Sequence, residues 1–223
     1  NMLVNIGAHQ SLAVSSKIHA AVVFDDPNKF QRDRWMSVPE SSANNASGRG
    51  FDARSNRAYL HAIHDSAQAS SSLIRSAWQA YAADADYGVA PFDLPKVAAC
   101  IDAGLPTQLY HVSVRNNAFD THVQQPALHR RLLSYVSDAV TAFVRDLDAK
   151  GCADEVVVLL YSECGRRPAE NANQGTDHGT ANVMMLAGKP IRGGHYGKPM
   201  DLSALGPEDN PCLLYTSPSP RDS

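Results

Sequence analysis

The sequence predicts an α/β fold with a largely parallel sheet. Short apolar, β-branched runs alternate along the chain with longer segments whose apolar residues recur every three or four positions. The first pattern is typical of strands and the second of one face of a helix. This order of elements favours helices packed on a sheet, with the site in the loops that follow the strands. Strands are predicted at residues 18–24, 109–114, 156–161 and 183–186, and helices at residues 56–83, 94–103 and 127–149.

Local signals support the individual elements. The run at residues 156–161 is apolar throughout, which is typical of a strand covered on both faces. Residues 37–50 are rich in Ser, Asn and Gly and predict a loop. Gly104 and Gly151 stand where the second and third helices are expected to end. The third helix is expected to bury a stripe made of Leu128, Leu132, Leu133, Val136, Val140, Phe143, Val144 and Leu147.

Composition narrows the classes of function. The chain has 223 residues, 43% of them hydrophobic and 19% charged, which is ordinary for a globular domain. Its net charge of −3 argues against a nucleic-acid partner, because phosphate recognition normally requires a basic excess. No apolar run approaches the roughly 20 residues of a membrane-spanning helix. The cysteines include no CxxC pair, so a cysteine zinc cluster is not expected: they are Cys100, Cys152, Cys164 and Cys212.

Two polar clusters follow predicted strands and contain metal-ligand types. Asp120 and His122 lie two positions apart in the sequence FDTH, and such a pair of oxygen and nitrogen donors suits zinc, manganese or iron. Glu163 lies in SECGRR, directly after the apolar strand. Each cluster also has a purely structural interpretation. Asp120 would then cap a turn beside a surface histidine, and Glu163 would pair with Arg166 to order its loop.

A third cluster, GTDHGT, places Asp177 and His178 between glycines that allow close approach of the backbone to a ligand. Its structural alternative is a glycine-rich turn capped by Asp177. Together the three clusters supply the carboxylates and histidines that a catalytic divalent metal needs. Arg166 or Arg167 would then hold the anionic oxygens of a phosphate or sulfate ester.

Two further hypotheses use residues near these clusters. Cys164 could be a nucleophile with His178 as its base, although a cysteine after a buried strand more often serves packing. His129 could orient a ligand from the third helix, or it could simply face solvent.

The ordered clusters resemble the domain-of-unknown-function family 1501, whose members look like the alkaline-phosphatase and sulfatase superfamily. The similarity rests on FDTH at 119–122, SECGRR at 162–167, GTDHGT at 175–180 and IRGGHYG at 191–197, and it is strongest over residues 107–200. The resemblance implies an alkaline-phosphatase-like layered sheet with flanking helices. It also implies metals at strand-end loops, small anionic phosphate or sulfate ester substrates, and export from the cytoplasm. It assigns metal ligation to Asp120, His122, Glu163, Asp177 and His178.

The sequence departs from the family at several places. Cys164 replaces an aromatic residue, Asn116-Asn117-Ala118 replaces a glycine pair, and Glu163 stands where the superfamily often has an Asp-His pair, which leaves one metal site short of a ligand. The chain contains no nucleophile motif such as Cys-x-Pro-x-Arg. Residues 1–211 are therefore expected to be a partial domain, incomplete at its amino terminus and inactive as it stands. Residues 212–223, which include CLLYTSPSPRD, are expected to be a disordered tail translated from a sequencing adapter.

The main functional hypothesis is thus a fragment of a metal-dependent hydrolase of phosphate or sulfate esters, with zinc or manganese as the metal. The alternative is a non-catalytic ligand-binding or scaffold protein that keeps the fold and the polar loops. Glu163 in place of the Asp-His pair is the feature that favours the alternative.

Overall fold

The structure, a computed structural model, describes residues 2–15, 21–30, 69–197, 201–203, 205–206 and 210. The chain divides into two compact units. The first contains residues Asn1–Ala83 and Asp93–Ser113, and the second contains Asp84–Phe92 and Val114–Ser223. Both contain helices and strands, so the predicted α/β class is confirmed.

The first unit contains a parallel sheet of three strands. The strands are β1 (Met2–Ile6), β2 (Val22–Phe24) and β3 (Thr107–Val112), in the order β2-β1-β3. Both pairings are parallel, as predicted. The central strand β1 was missed because it is short and interrupts its apolar run with Asn5. Asn5 is nevertheless buried, since its side chain donates to the His9 carbonyl and accepts from the Ser11 amide.

Two helices of the first unit match their predicted positions. Helix α1 is described over residues 69–80 and ends three positions before the predicted residue 83, while residues 56–68 lie outside the described part. Helix α2 (Leu94–Asp102) buries Val97 and Cys100, and Gly104 follows it with a φ of +65°. Such a conformation favours glycine and ends the helix as expected. Of the predicted first strand, residues 18–20 lie outside the described part, as does the predicted loop at 37–50.

The second unit is built on the long helix α3 (Gln125–Ala149). The predicted bounds are confirmed, and Gly151 has the expected left-handed φ of +72°. The predicted buried stripe is wrong in the first half of the helix, where Leu128 and Leu133 are exposed. Burial begins only at residue 139 and follows the i, i+3, i+4 spacing over Ala139, Ala142, Phe143, Asp146 and Leu147. The first half of α3 therefore presents Leu128 and Leu133 to solvent.

A buried carboxylate lies within this stripe. Asp146 is fully buried and accepts hydrogen bonds from the Tyr87 hydroxyl at 2.7 Å and the Asp84 amide at 2.9 Å. The Lys150 ammonium lies 3.6 Å away on the next turn of the helix. A buried charge is tolerated when it is paired and hydrogen-bonded in this way. These contacts fasten residues 84–92 to the second half of α3.

Two small antiparallel pairs complete the second unit. Strand β4 (Val158–Leu160) pairs with β7 (Met185–Ala187), and β5 (Gly165–Arg166) pairs with β6 (His178–Gly179). The prediction that the strand at 156–161 is covered on both faces is wrong. Leu159 and its partner Leu186 are 51% and 55% exposed. In the described residues β4 pairs with β7 alone, and a two-stranded ribbon leaves its apolar side chains in contact with water. Among the helices that the structure describes, none has the length and apolar character needed to cross a bilayer.

Candidate metal centre

Three of the residues singled out by the sequence lie together in the second unit. The Asp120 Oδ1 atom lies 2.8 Å from the His122 Nε2 atom and 2.8 Å from the His178 Nε2 atom. The two Nε2 atoms are 3.2 Å apart. Of the residues described, these three form a group whose donor atoms converge closely enough to share one ion. The structure therefore joins the FDTH loop to the GTDHGT loop.

The dimensions of this triangle fit a divalent metal. A tetrahedral zinc ion bound at about 2.0–2.1 Å separates its ligand atoms by about 3.3 Å. The observed separations of 2.8, 2.8 and 3.2 Å are slightly smaller, so only a small outward movement of the side chains would be needed. Two histidines and one carboxylate are also a donor set typical of catalytic zinc, which keeps a fourth position open.

Asp177 orients one of the histidines. Its Oδ1 atom lies 3.4 Å from His122 Nδ1, on the opposite side of the ring from the triangle. A neutral imidazole carries one N–H, and a carboxylate beside Nδ1 places that proton there and leaves a lone pair on Nε2. Nε2 of His122 lies 2.8 Å from Asp120 Oδ1, where it donates a hydrogen bond when it carries a proton and can bind a cation when it carries a lone pair. Asp177 therefore orients His122 so that Nε2 faces Asp120.

Hydrogen bonds also keep both carboxylates ionised. Bonds from His178 and His122 hold the pKa of Asp120 below its ordinary value. The pKa of Asp177 is lowered chiefly by a hydrogen bond from Asn171, with a further contribution from His122. Both residues are exposed, so their environment is wet as well as polar. At neutral pH two residues of the site therefore carry a negative charge: Asp120, which is a candidate ligand, and Asp177, which contacts the candidate ligand His122.

Arg166 ties the two ligand loops together. Its guanidinium donates to the Thr176 carbonyl and to the Phe119 carbonyl, the latter at 2.8 Å. It lies 3.8 Å from Asp120 Oδ1. In the β5–β6 ladder Arg166 is also the direct partner of His178. A rigid, planar group with several donors is suited to fixing two carbonyls at once.

Gly175 allows the loops to approach each other. A Cβ atom at this position would overlap the main-chain carbonyl of His122. The sequence pattern predicted that the glycines of this loop allow a ligand to approach the backbone closely. The structure shows instead that Gly175 allows the backbone of the other loop to approach. Gly175 is therefore required by packing between the two loops that supply the donors.

Two residues that the sequence analysis did not single out complete the framework. Asn171 donates to the His122 carbonyl and to Asp177 Oδ1, each at 3.1 Å, and accepts from the Gly175 amide at 3.0 Å. Gln125 donates to the Thr121 carbonyl, and its Oε1 accepts from the Thr176 hydroxyl at 2.9 Å. The sequence carries no signal for either role, because the His122 carbonyl and the Thr176 hydroxyl lie 49 and 51 residues along the chain from Asn171 and Gln125.

The other candidate residues lie outside the triangle. Glu163 is exposed and accepts a hydrogen bond from the Ser162 hydroxyl at 3.3 Å. The Cys164 thiol lies 4.0 Å from Glu163, and in the described structure it makes no hydrogen bond to His178. His129 packs edge-on against Phe119, with ring centres 5.7 Å apart. Arg167 donates from Nε to the His178 carbonyl at 3.3 Å. None of these residues contributes a donor atom to the group.

Comparison with known proteins gives one match. The sequence model of a family described as "Protein of unknown function (DUF1501)" matches residues 24–212, a range that includes every residue of the candidate metal centre. Neither the curated proteins nor the solved structures provide a match to this chain.

Proposed function

We propose, since this chain belongs to the DUF1501 family, that it is part of a sulfatase-like hydrolase that uses a divalent metal to cleave phosphate or sulfate esters. The proposal includes an alkaline-phosphatase-like layering of the complete sheet, zinc or manganese as the metal, and export from the cytoplasm. The substrate is a small anionic ester.

The observation that carries this proposal is the convergence of Asp120, His122 and His178 within 2.8–3.2 Å of one another. The donors come from two loops that are 56 residues apart in the chain, between His122 and His178. Side-chain donors from distant segments seldom meet in this geometry unless they share an ion or a hydrogen-bond network. The additional bonds from Asp177 and Arg166 to the same loops favour an organised site.

Each residue has a distinct role in the proposed reaction. Asp120, His122 and His178 would hold the metal. Asp177 would keep the proton of His122 on Nδ1, so that the Nε2 lone pair points to the metal. A divalent cation bound there supplies Lewis acidity toward an ester oxygen and acidifies water. Arg166, which lies 3.8 Å from Asp120, keeps the ligand loops together and adds positive charge beside an anionic ester.

The experiment is a metal and turnover measurement on matched proteins. We expect the purified chain to bind about one zinc or manganese ion, because a single donor triangle offers one centre. We expect Asp120→Ala and His178→Ala to lose that ion while Glu170→Gln, a change of an exposed carboxylate, retains it. The product of the complete gene should hydrolyse 4-nitrophenyl phosphate or 4-nitrophenyl sulfate. Equal metal content in all variants would overturn the metal assignment.

A second candidate is a protein that binds an anionic ester without cleaving it. The position of Glu163 outside the donor group favours it, because a second metal would then lack a carboxylate at the expected place. Metal-dependent binding of a phosphate or sulfate ester by the complete gene product, without turnover, would support this candidate over the hydrolase.

A further inference from the structure

An open groove of about 510 Å³ lies in the second unit. The first turns of α3 form one side, with Gln125, His129 and Leu133, and Arg166 and Thr176 form part of the other. Its volume is within the range of about 300–1,000 Å³ that is usual for small-molecule sites.

The groove borders the candidate metal centre. Thr176 directly precedes Asp177, and the Arg166 guanidinium lies 3.8 Å from Asp120 Oδ1. His129, on the opposite side, packs against Phe119, the residue before Asp120. A molecule whose ester group reached the metal centre would therefore place its remaining part along this groove.

The lining combines apolar surface with positive charge. Pro126 and Leu133 supply apolar contacts, and Leu133 is 44% exposed although it is a leucine on an amphipathic helix. Arg130 and Arg166 supply two cations, and no carboxylate lines the groove. Arg166 is already bonded to the Thr176 and Phe119 carbonyls. Arg130 is exposed, and among the described residues it has no ion-pair partner.

We infer that this groove binds the alcohol part of the ester, and that Arg130 selects alcohols that carry a second anionic group. The role of the groove as a leaving-group subsite rests on the proposed function, whereas its preference for an anionic, partly apolar ligand rests on the lining alone. The ligand class is an aromatic or sugar alcohol bearing a carboxylate, sulfate or phosphate. Apolar surface for the ring and one guanidinium for the charge are the two contacts that this class requires.

The preference can be measured with alcohols alone. The probes are phenol, 3-hydroxybenzoate and 3-hydroxybenzenesulfonate, titrated at pH 7 into the chain with a chelator present. Affinity is measured by calorimetry and location by the NMR signals of the His129 ring. We expect the two anionic probes to bind more tightly than phenol and to shift the His129 signals. The two anions together distinguish a carboxylate preference from a general preference for anionic oxygens.

Arg130→Gln is the decisive variant, and Arg131→Gln is its control because Arg131 is the next exposed arginine on the same helix but does not line the groove. We expect Arg130→Gln to weaken binding of the anionic probes by about threefold to fivefold, the effect of one solvent-accessible ion pair, and to leave phenol unchanged. Arg131→Gln should change neither. Equal losses in both variants, or an unchanged ratio of anionic to neutral affinity in Arg130→Gln, would overturn the inference.

The chelator separates this inference from the proposed function. If zinc fails to bind but Arg130 still selects anions, the metalloenzyme proposal falls and the groove remains. If zinc binds through Asp120 but the probes are not discriminated, the groove inference alone fails.

Discussion

Replacing Asp120 by Asn tests the candidate metal centre most directly. The change keeps the size of the side chain but removes the single negative charge among the three donors, and it places an amide beside two imidazole nitrogens. Loss of a group that only orients a ligand typically costs about 10- to 100-fold in metal affinity. Asp120 is itself a proposed ligand, with two nitrogens at 2.8 Å, so we expect its loss to cost at least about 100-fold, or about 2.7 kcal/mol.

The assay is a zinc titration by calorimetry in the presence of a competing chelator, with circular dichroism to verify that each variant folds. Asp177→Asn provides a graded comparison, because Asp177 contacts His122 at Nδ1 and does not belong to the donor group. We expect an intermediate loss of about 10- to 100-fold for this variant. Glu170→Gln should bind zinc like the parent chain. The reasoning is refuted if Asp120→Asn binds zinc as tightly as Glu170→Gln, or if Asp177→Asn loses more affinity than Asp120→Asn.

Three other predictions concern the surroundings of the site and the first unit. Gly175→Ala should lower the free energy of unfolding by about 1–3 kcal/mol in urea, because the added methyl group overlaps the His122 carbonyl; unchanged stability would contradict that close approach. Arg166→Lys should lower the melting temperature and weaken zinc binding together, since an ammonium does not fix two carbonyls in the same geometry; a loss of stability at full zinc affinity would limit Arg166 to a structural role. Burial raises the pKa of Cys100 to about 11, so only about 0.1% is thiolate at pH 8, and mass spectrometry should find iodoacetamide on Cys152 well before Cys100.

The last of these predictions also sets the comparison for Cys164. Because burial alone makes the alkylation of Cys100 slow, faster alkylation of Cys164 than of Cys100 would not identify Cys164 as a nucleophile. Cys152 is the appropriate reference, because Cys152 and Cys164 are both partly exposed. Only reaction of Cys164 far faster than Cys152 would support the nucleophile hypothesis.

Sequence reasoning recovered the elements whose signals are local. Helix α3 was predicted within two residues because its spacing persists over many turns and Gly151 marks its end. Strand β1 was missed because five residues interrupted by Asn5 give little pattern, although Val4 and Ile6 are among the most buried side chains of the first unit. The exposure of Leu133 and Leu159 could not be predicted either. It depends on which segments cover them, and the sequence of an element does not contain that information.

The same distinction applies to the candidate site. Asp120, His122 and His178 were found because their chemistry is recognisable and each follows a predicted strand or a glycine. The role of Glu163 as a metal ligand stays a prediction. The supporting role of Asn171 depends on its bond to the His122 carbonyl, and that of Gln125 on the bond from the Thr176 hydroxyl. Both bonds join segments about 50 residues apart, and they form only when the loops are in place.

The position of the donors along the chain has a mechanical consequence. An ion bridging His122 and His178 would close a ring of about the 56 residues that separate them, and this ring contains α3, β4 and β5 entirely. If the ion stayed bound to both histidines in the unfolded chain, it would restrict that chain by about 4 kcal/mol in the loop-entropy treatment used for disulfides. Chelation would then remove this restriction and destabilise the segment that contains α3, as reduction destabilises a disulfide-bonded protein.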